Sequence, residues 1–320
     1  MSLGASELVL NQDGSVYHLN LRPENIATTI ILVGDQDRVD KVTKHFDNIE
    51  FTTQKREFRT TTGTYKNKRI SVISTGIGSD NIDIVLNELD ALANIDLSTR
   101  KIKENFTQLS FIRIGTSGSL QADIPVNSFV LSSHGLDLNG LLHFYQIESI
   151  SHPAIENAFV KHTNWSEKKA HPIIVSNSTS LANKLASPIV FQGVTATAGG
   201  FYGPQGRVLR LALEDANLNN KIDSFSFEGN RITNLEMETS AIYGLSQLLG
   251  HHAVSLNAVA KSVKCVHAQT TWVAFSLIKV QPVSSHPPVF TLQYKHCAST
   301  TKVDVIFPIV VFLISSLETS

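Results

Sequence analysis

The stretch Leu109-Ser110-Phe111-Ile112-Arg113-Ile114-Gly115-Thr116-Ser117-Gly118 joins an apolar run to a cluster of small residues. The apolar half predicts a short buried β-strand, and the Gly-Thr-Ser-Gly half predicts a turn directly after it. In an open α/β sheet, ligands bind beside the carboxyl ends of the strands. Main-chain N–H groups, the Thr116 hydroxyl and the Arg113 guanidinium at such a turn suit a tetrahedral oxyanion such as phosphate. Small-residue clusters are also common in turns that bind nothing.

Outward from this stretch, strand-like and helix-like segments alternate over residues 1–258, with no internal repeat. This alternation predicts an α/β fold, a single three-layer domain whose mixed, mostly parallel central sheet is flanked by helices. The predicted strands cover residues 28–33, 69–74, 109–114, 127–132 and 253–259, with weaker candidates at 173–175 and 190–192. The predicted helices cover residues 37–45, about 80–92 with Asp80 as the N-cap, and 238–249 ending at Gly250.

The composition argues against several classes of function. The chain has 320 residues and a formal net charge of −1, so it has no electrostatic basis for binding nucleic acid or an acidic membrane. Its two cysteines, Cys265 and Cys297, form neither a disulfide framework nor a metal cluster, and His251-His252 lacks metal-ligand spacing. The N-terminal residues lack the pattern of a secretory signal. We therefore expect a cytoplasmic protein without a bound metal.

The composition changes near residue 259. The last 62 residues contain only two of the 28 acidic residues, Asp304 and Glu318, no arginine, and four of the ten prolines. An apolar run over 305–314 is too short to cross a bilayer, which needs about 20 residues. We predict a catalytic domain over residues 1–258 and an atypical tail over 259–320. The tail is either a β-rich or disordered extension or a frameshifted segment.

Six separated pieces of the sequence carry residue types that together suit one ligand site. Several arginines can hold a phosphate dianion by charge-assisted hydrogen bonds. A glutamine amide offers a donor and an acceptor side by side, which matches an edge of uracil, and a carboxylate can accept from two ribose hydroxyls. Taken singly, each arginine and His18 are typical of ordinary surface residues, and Phe201 is as typical of a core position as of a binding site. In chain order the pieces contain His18, Gly34 with Arg38, Arg56, Arg113 with Thr116, Phe201 with Gln205 and Arg207, and Glu236-Met237-Glu238.

In their order and spacing, from about residue 15 to residue 259, these pieces resemble the nucleoside phosphorylase family. That family includes uridine phosphorylases and the hexameric purine nucleoside phosphorylases. The resemblance implies that Gly34, Arg38, Arg113 and Thr116 surround phosphate, and that Arg56 comes from the neighbouring subunit. It therefore implies a homodimer, or a hexamer built from dimers, with shared active sites.

The resemblance also implies how the nucleoside is held. Glu236, Met237 and Glu238 bind the ribose: Glu238 takes the 2′-hydroxyl and Met237 packs on the sugar. His18 of the partner subunit reaches the 5′-hydroxyl. An acidic residue in the first turn of a helix can equally serve to complement the helix dipole, so both interpretations of Glu238 stay open.

The base-binding residues implied by the resemblance are Phe201, Gln205 and Arg207. The Phe-Tyr-x-x-Gln-x-Arg arrangement resembles uridine phosphorylases, and Arg207 can neutralise charge that grows on the departing base. Purine-specific relatives place an aspartate after the last strand, where this chain has none between Ser255 and Lys261. Arg113, Thr116 and Arg207 are the implied catalytic residues.

Phosphate-dependent cleavage of uridine to uracil and ribose 1-phosphate is the implied reaction. It uses phosphate as a co-substrate and no cofactor. A purine nucleoside phosphorylase, a nucleosidase of the same fold and a catalytically dead relative with a binding or structural role remain alternatives. Two departures from the family pattern stand out. Gln36 occupies a position where the family usually has proline, and Ala260-Lys261 follows the last strand where an Asn-Arg pair is usual.

Overall fold

A mixed β-sheet of eleven strands lies at the centre of residues 2–262, the part of the chain that this computed structural model describes. The described residues form thirteen strands, of which β5 and β6 pair with each other in a separate two-stranded sheet. In chain order the strands are β1 Thr29–Val33, β2 Asn48–Lys55, β3 Phe58–Tyr65, β4 Lys68–Ser74, β5 Ile95–Asp96, β6 Lys101–Ile102, β7 Ser110–Ser119, β8 Phe129–Asp137, β9 Ile173–Ser176, β10 Val190–Thr197, β11 Ser226–Phe227, β12 Asn230–Glu236 and β13 His252–Ser262. The α-helices are α1 Gln36–Thr43, α2 Ser79–Asn94, α3 Pro153–Thr163, α4 Thr179–Leu185, α5 Leu218–Asp223 and α6 Thr239–Leu248.

The strand order shows how the sheet is assembled from neighbouring and distant segments of the chain. Strands run in the order β11-β12-β10-β8-β13-β7-β1-β4-β3-β2, and β9 pairs with β8. Strand β1 is parallel to both of its neighbours, β4 and β7, and β13 is parallel to β7. Strand β12 also pairs with β7, so β7, β13, β8, β10 and β12 form a closed circuit of strands. The predicted three-layer α/β fold with a mixed sheet is confirmed.

Packing on both faces of strand β1 explains why its sequence is apolar at consecutive positions. Ile30 and Leu32 pack into a cluster with residues of α2 and α6, whereas Ile31 and Val33 pack into a separate cluster with residues of α1. A strand that is covered by helices on both faces needs apolar side chains on both, because neighbouring side chains point to opposite faces. Among residues 2–262, no helix is both long and apolar enough to cross a membrane.

The turn predicted over residues 115–118 is wrong, because β7 continues through it to Ser119. Gly115 pairs with Asn257 and Thr116 with Ala258 in β13, and Gly118 pairs with Leu235 in β12. Pairing of the main chain on both sides outweighs the local turn preference of glycine, serine and threonine. The N–H groups of this segment therefore belong to a sheet and are not gathered in an anion-binding loop.

Two other element ends differ from prediction. Gly78, with φ of 101°, is the N-cap residue of α2, so Asp80 lies in the first turn and is not the cap. Strand β13 continues to Ser262 and crosses the predicted boundary after residue 258, because its pairing with β7 persists to Ser119. Beyond residue 262, the predicted tail lies outside the described residues.

Candidate active site

A cavity of about 730 Å³ lies beside the ends of β1 and β12 and the second half of β7. Segments that follow strands supply much of its lining, as expected for a sheet whose parallel strands end at one edge. Ten of the twelve predicted site residues line this cavity, and His18 and Arg56 do not. The ten are Gly34, Arg38, Arg113, Thr116, Phe201, Gln205, Arg207, Glu236, Met237 and Glu238.

Arg113 is held in a buried ion-pair cluster at the base of the cavity. Its side chain leaves β7 and is only 5% exposed. Nη2 lies 2.5 Å from Glu238 Oε2 and 3.3 Å from Glu236 Oε2, and Nη1 donates to Asn257 Oδ1 at 2.6 Å. Burial opposes the charge of Arg113, but the two carboxylates outweigh it and raise its pKa. The guanidinium is thus engaged by protein groups on two of its nitrogens.

Glu236, rather than Glu238, supplies the side-chain cap of helix α6. Its carboxylate accepts from the main-chain N–H groups of Glu238 at 3.0 Å and of Thr239 at 2.9 Å, and from Thr197 Oγ1 at 2.8 Å. Burial raises the pKa of Glu236, with the neighbouring Glu238 adding to the effect and Arg113 opposing it. The helix-dipole role considered for Glu238 therefore falls to Glu236.

Both carboxylate oxygens of Glu238 have protein partners. Oε2 accepts from Arg113, and Oε1 accepts from the main-chain N–H of Gly78 at 2.8 Å. Gly78 is the N-cap residue of α2 and Glu238 is that of α6, so this bond joins the starts of the two helices. A ligand hydroxyl that bound Glu238 would share oxygens that are already hydrogen-bonded.

Arg38 differs from Arg113 because no carboxylate of the described residues forms an ion pair with it. Arg38 lies on α1, and its Nη1 donates to the main-chain oxygen of Ile114 at 3.5 Å, a long hydrogen bond. Burial, together with the nearby charge of Arg113, lowers the pKa of Arg38. Since a half-buried cation beside another cation is unfavourable, an anion in this part of the cavity would be stabilised.

A second cluster forms where the loop after β10 faces the cavity. Arg207 Nη1 donates to Gln205 Oε1 at 2.7 Å and to the Phe201 main-chain oxygen. The guanidinium carbon lies 4.0 Å from the centre of the Phe201 ring, in cation–π contact. Because Arg207 can only donate, the Gln205 oxygen must face it, and none of the described residues accepts from Gln205 Nε2. The cluster therefore offers an amide donor and a cation next to a half-exposed aromatic ring.

The structure does not bring His18 and Arg56 into the cavity of their own chain. His18 Nδ1 lies 2.7 Å from Glu88 Oε1 on α2. Arg56 occupies the two-residue turn between β2 and β3 with φ of 54°, and its side chain is exposed.

Sequence reasoning missed several charged groups of the cavity and one partner of Arg113. Asn257 was missed because its contact with Arg113 follows from the pairing of β7 with β13, which no local pattern shows. Five acidic residues line the cavity against four basic ones, a formal net charge of −1 from one chain. They are Asp35, Asp37, Glu57, Glu236 and Glu238, against Arg38, Arg113, Arg207 and Lys261. Within residues 2–262, no group of three or more His, Cys, Asp or Glu side chains could hold a metal ion.

Residues 28–275 match the family model of the phosphorylase superfamily. The chain therefore belongs to the phosphorylase superfamily, and its resemblance to nucleoside phosphorylases is confirmed. A uridine phosphorylase from Thermococcus kodakarensis is 28% identical over 255 residues, which cover 80% of each chain. One from Haemophilus influenzae is 29% identical over 74% of this chain and 82% of its own. A DeoD-type purine nucleoside phosphorylase from Listeria welshimeri is 24% identical over 77% of this chain and 87% of its own.

Solved structures have the same fold. The crystal structure of a Trypanosoma brucei nucleoside phosphorylase, described as showing uridine phosphorylase activity, superimposes with a TM-score of 0.77. It is 25% identical and covers 98% of this chain and 100% of its own. A purine nucleoside phosphorylase from Toxoplasma gondii, 21% identical, shares the fold with a TM-score of 0.56 over 80% of this chain and 86% of its own. The class of protein is therefore a nucleoside phosphorylase.

Proposed function

We propose that this nucleoside phosphorylase cleaves uridine with inorganic phosphate to give uracil and ribose 1-phosphate. The observation that carries the proposal is that one cavity is lined both by Arg38, which has no carboxylate partner within residues 2–262, and by the Gln205–Arg207–Phe201 cluster. The first suits an oxyanion, and the second suits a flat base with carbonyl oxygens. Relatives named uridine phosphorylases, from Thermococcus kodakarensis and Haemophilus influenzae, support the choice of base.

Phosphate binds, in this proposal, beside Gly34, Arg38, Arg113 and Thr116. The cavity residues of one chain have a formal net charge of −1, which does not favour a dianion. An additional cation would change that balance, and the exposed Arg56 has no ion-pair partner among the described residues. We therefore assign Arg56 to the phosphate site of a neighbouring subunit, which makes the working form a homodimer or a hexamer of dimers.

The ribose lies over Met237 and Glu238, with Glu236 behind them holding the start of α6. Glu238 accepts from the ribose 2′-hydroxyl while it remains paired with Arg113. His18 of a neighbouring subunit serves the 5′-hydroxyl. These contacts orient C1′ toward phosphate, and orientation of this kind can supply a large part of a rate enhancement.

In the reaction, a phosphate oxygen bonds to C1′ while the C1′–N1 bond breaks and its electron pair goes to uracil. The departing base carries negative charge on its ring nitrogen and carbonyl oxygens. Arg207 and the Gln205 amide group lie where they can stabilise that charge, and fixed donors of this kind are usually the largest single contribution to catalysis. No electrons are transferred to an acceptor, so the reaction uses phosphate as co-substrate and no redox cofactor. We expect it to occur in the cytoplasm.

A purine nucleoside phosphorylase is the second candidate, because the DeoD-type relative matches over a similar share of the chain. Nothing after β12 or along β13 to Ser262 provides the aspartate that we expect purine-specific relatives to use. A nucleosidase uses water in place of phosphate, so it would not need a cation such as Arg38 that no carboxylate among residues 2–262 neutralises.

The test is uracil release from uridine by the purified full-length protein, with and without phosphate, in parallel with inosine as substrate. Phosphate-dependent release of uracil, faster than release of hypoxanthine, is the expected result. Release without phosphate would indicate a nucleosidase, and faster cleavage of inosine a purine enzyme. No release from a protein that is folded by circular dichroism would indicate a relative that binds without catalysis.

A further inference from the structure

Gln36 forms a bridge between the start of α1, beside the proposed phosphate site, and the turn that carries Arg56. It is the first residue of α1, directly after the N-cap Asp35, and it lines the cavity. Its Nε2 donates to the main-chain oxygen of Arg56 at 2.7 Å, and its Oε1 accepts from Gln54 Nε2 at 2.8 Å. The amide has only one consistent orientation, because the carbonyl oxygen of Arg56 can only accept.

The turn that Gln36 contacts has an unfavourable backbone conformation. Arg56 has φ of 54°, in the left-handed region that disfavours a side chain with a Cβ atom. Such a conformation persists where the surroundings hold it in place. Two hydrogen bonds do so here: Gln36 donates to the Arg56 oxygen, and Ser74 Oγ donates to the Glu57 oxygen at 2.6 Å.

The two residues of this turn have different surroundings. Glu57 lines the cavity of its own chain, whereas the exposed Arg56 does not. A shift of the turn would therefore move both groups at once. Proline, which the family usually has at position 36, suits the first position of a helix but has no side-chain donor or acceptor to hold this turn.

We propose that Gln36 is a positioning residue that holds the Arg56–Glu57 turn against the start of α1, and so fixes the position from which Arg56 reaches the phosphate site of the neighbouring subunit and the affinity for phosphate there. This inference rests on the proposed function. It predicts that Gln36 contributes to phosphate binding without touching the nucleoside. The effect should appear in the KM for phosphate and leave kcat and the KM for uridine nearly unchanged.

The experiment compares Gln36→Ala with Gln36→Pro, each alone and combined with Arg56→Ala. Loss of one hydrogen bond to a positioned group corresponds to about a five-fold rise in the KM for phosphate. We expect that rise in both single variants, with less than a two-fold change in kcat. If Gln36 acts through Arg56, neither substitution should weaken phosphate binding further in the Arg56→Ala protein, because effects on one pathway are not additive.

Gln108 provides a matched control. Its Nε2 donates at 2.9 Å to the main-chain oxygen of Gly250, another residue with positive φ, and neither Gln108 nor Gly250 lines the cavity. Gln108→Ala should lose the same kind of bond and leave the KM for phosphate unchanged.

Direct titration of the proteins with inorganic phosphate by calorimetry separates the possible failures. A wild-type protein that does not bind phosphate overturns the proposed function, and this inference with it. A wild-type protein that binds phosphate, but whose affinity is unchanged by Gln36→Ala, overturns only the role of Gln36. An equal loss of affinity in the Arg56→Ala background shows that Gln36 acts by another route and also overturns it.

Discussion

Replacing Arg113 by methionine tests whether the cluster of Glu236, Arg113 and Glu238 balances its own buried charge. The three residues are 4%, 5% and 6% exposed, respectively. Methionine fills much of the same space with an unbranched, flexible chain, so the substitution removes the charge and leaves little empty volume. It also removes the hydrogen bond to Asn257.

The expected loss of stability follows from burial of the two carboxylates. At about 4 Å and an effective dielectric constant of about 20, one ion pair is worth about 4 kcal/mol before desolvation. In the wild-type protein, desolvation of the three charges offsets most of that attraction. Removing the cation leaves the desolvation cost of the carboxylates without compensation, and breaking a buried pair in this way costs about 3–5 kcal/mol. We expect the free energy of unfolding of Arg113→Met to fall by that amount at about pH 8.

The loss should depend on pH with a definite sign. Without Arg113, the cation that lowers the pKa of Glu236 is gone, so burial and the neighbouring Glu238 raise the pKa of Glu236 in the folded protein further above its ordinary value of 4.5. A folded state that binds protons more readily gains stability as the pH falls through the folded pKa toward the unfolded one. The difference from the wild-type protein should therefore shrink as the pH falls from neutral toward 4.5, the ordinary pKa of the glutamate.

Urea unfolding followed by circular dichroism, at one protein concentration and several pH values, measures this effect. Arg231→Met is the matched control, because Arg231 pairs with Asp123 at 2.7 Å while both side chains are well exposed. Its loss should be about 1 kcal/mol or less. A loss below about 1 kcal/mol in Arg113→Met, or a loss that does not change with pH, would refute the reasoning.

Three further predictions test other parts of the molecule. In steady-state kinetics, Arg207→Ala should lower kcat/KM for uridine by about two orders of magnitude, the scale of one electrostatic donor, whereas replacing the exposed Arg210 by alanine should not. An active Arg207→Ala enzyme would exclude the assigned role. Tyr243→Phe should lower the free energy of unfolding by about 2 kcal/mol, measured by urea unfolding, because two buried main-chain groups lose the hydroxyl as their partner. Gly115→Ala should destabilise the protein by about 1–3 kcal/mol and reduce turnover, because a Cβ atom there would lie 1.7 Å from Arg113 Nη1. A melting temperature and an activity equal to those of the wild-type protein would contradict this.

The fold was accessible from the sequence because burial on two faces leaves a visible pattern. The apolar run of β1 identified a central strand, and the spacing of apolar residues in α2 identified a helix. The β2–β3 hairpin over residues 48–65 was missed, because its threonine-rich strands show no sustained alternation and its turn contains Arg56 in place of glycine or asparagine.

The site could be predicted from the sequence only in part. The order of the short pieces, through the family resemblance, identified ten of the residues that line the cavity. How those residues pair was not accessible. The engagement of Arg113 by two carboxylates, and of Glu238 by Gly78, joins positions more than 100 residues apart in the sequence.

The sequence by itself therefore determined the family, the layered α/β fold and ten of the residues around the cavity, since these depend on local pattern and on residue type. Only the tertiary structure decided that Gly115 to Gly118 form a strand, that Glu236 caps α6, and that the carboxylates of the described part of the chain pair with Arg113 and not with Arg38. Those outcomes depend on distances between distant segments. Such distances are set by the pairing of β7 with β12 and β13, which local preferences do not encode.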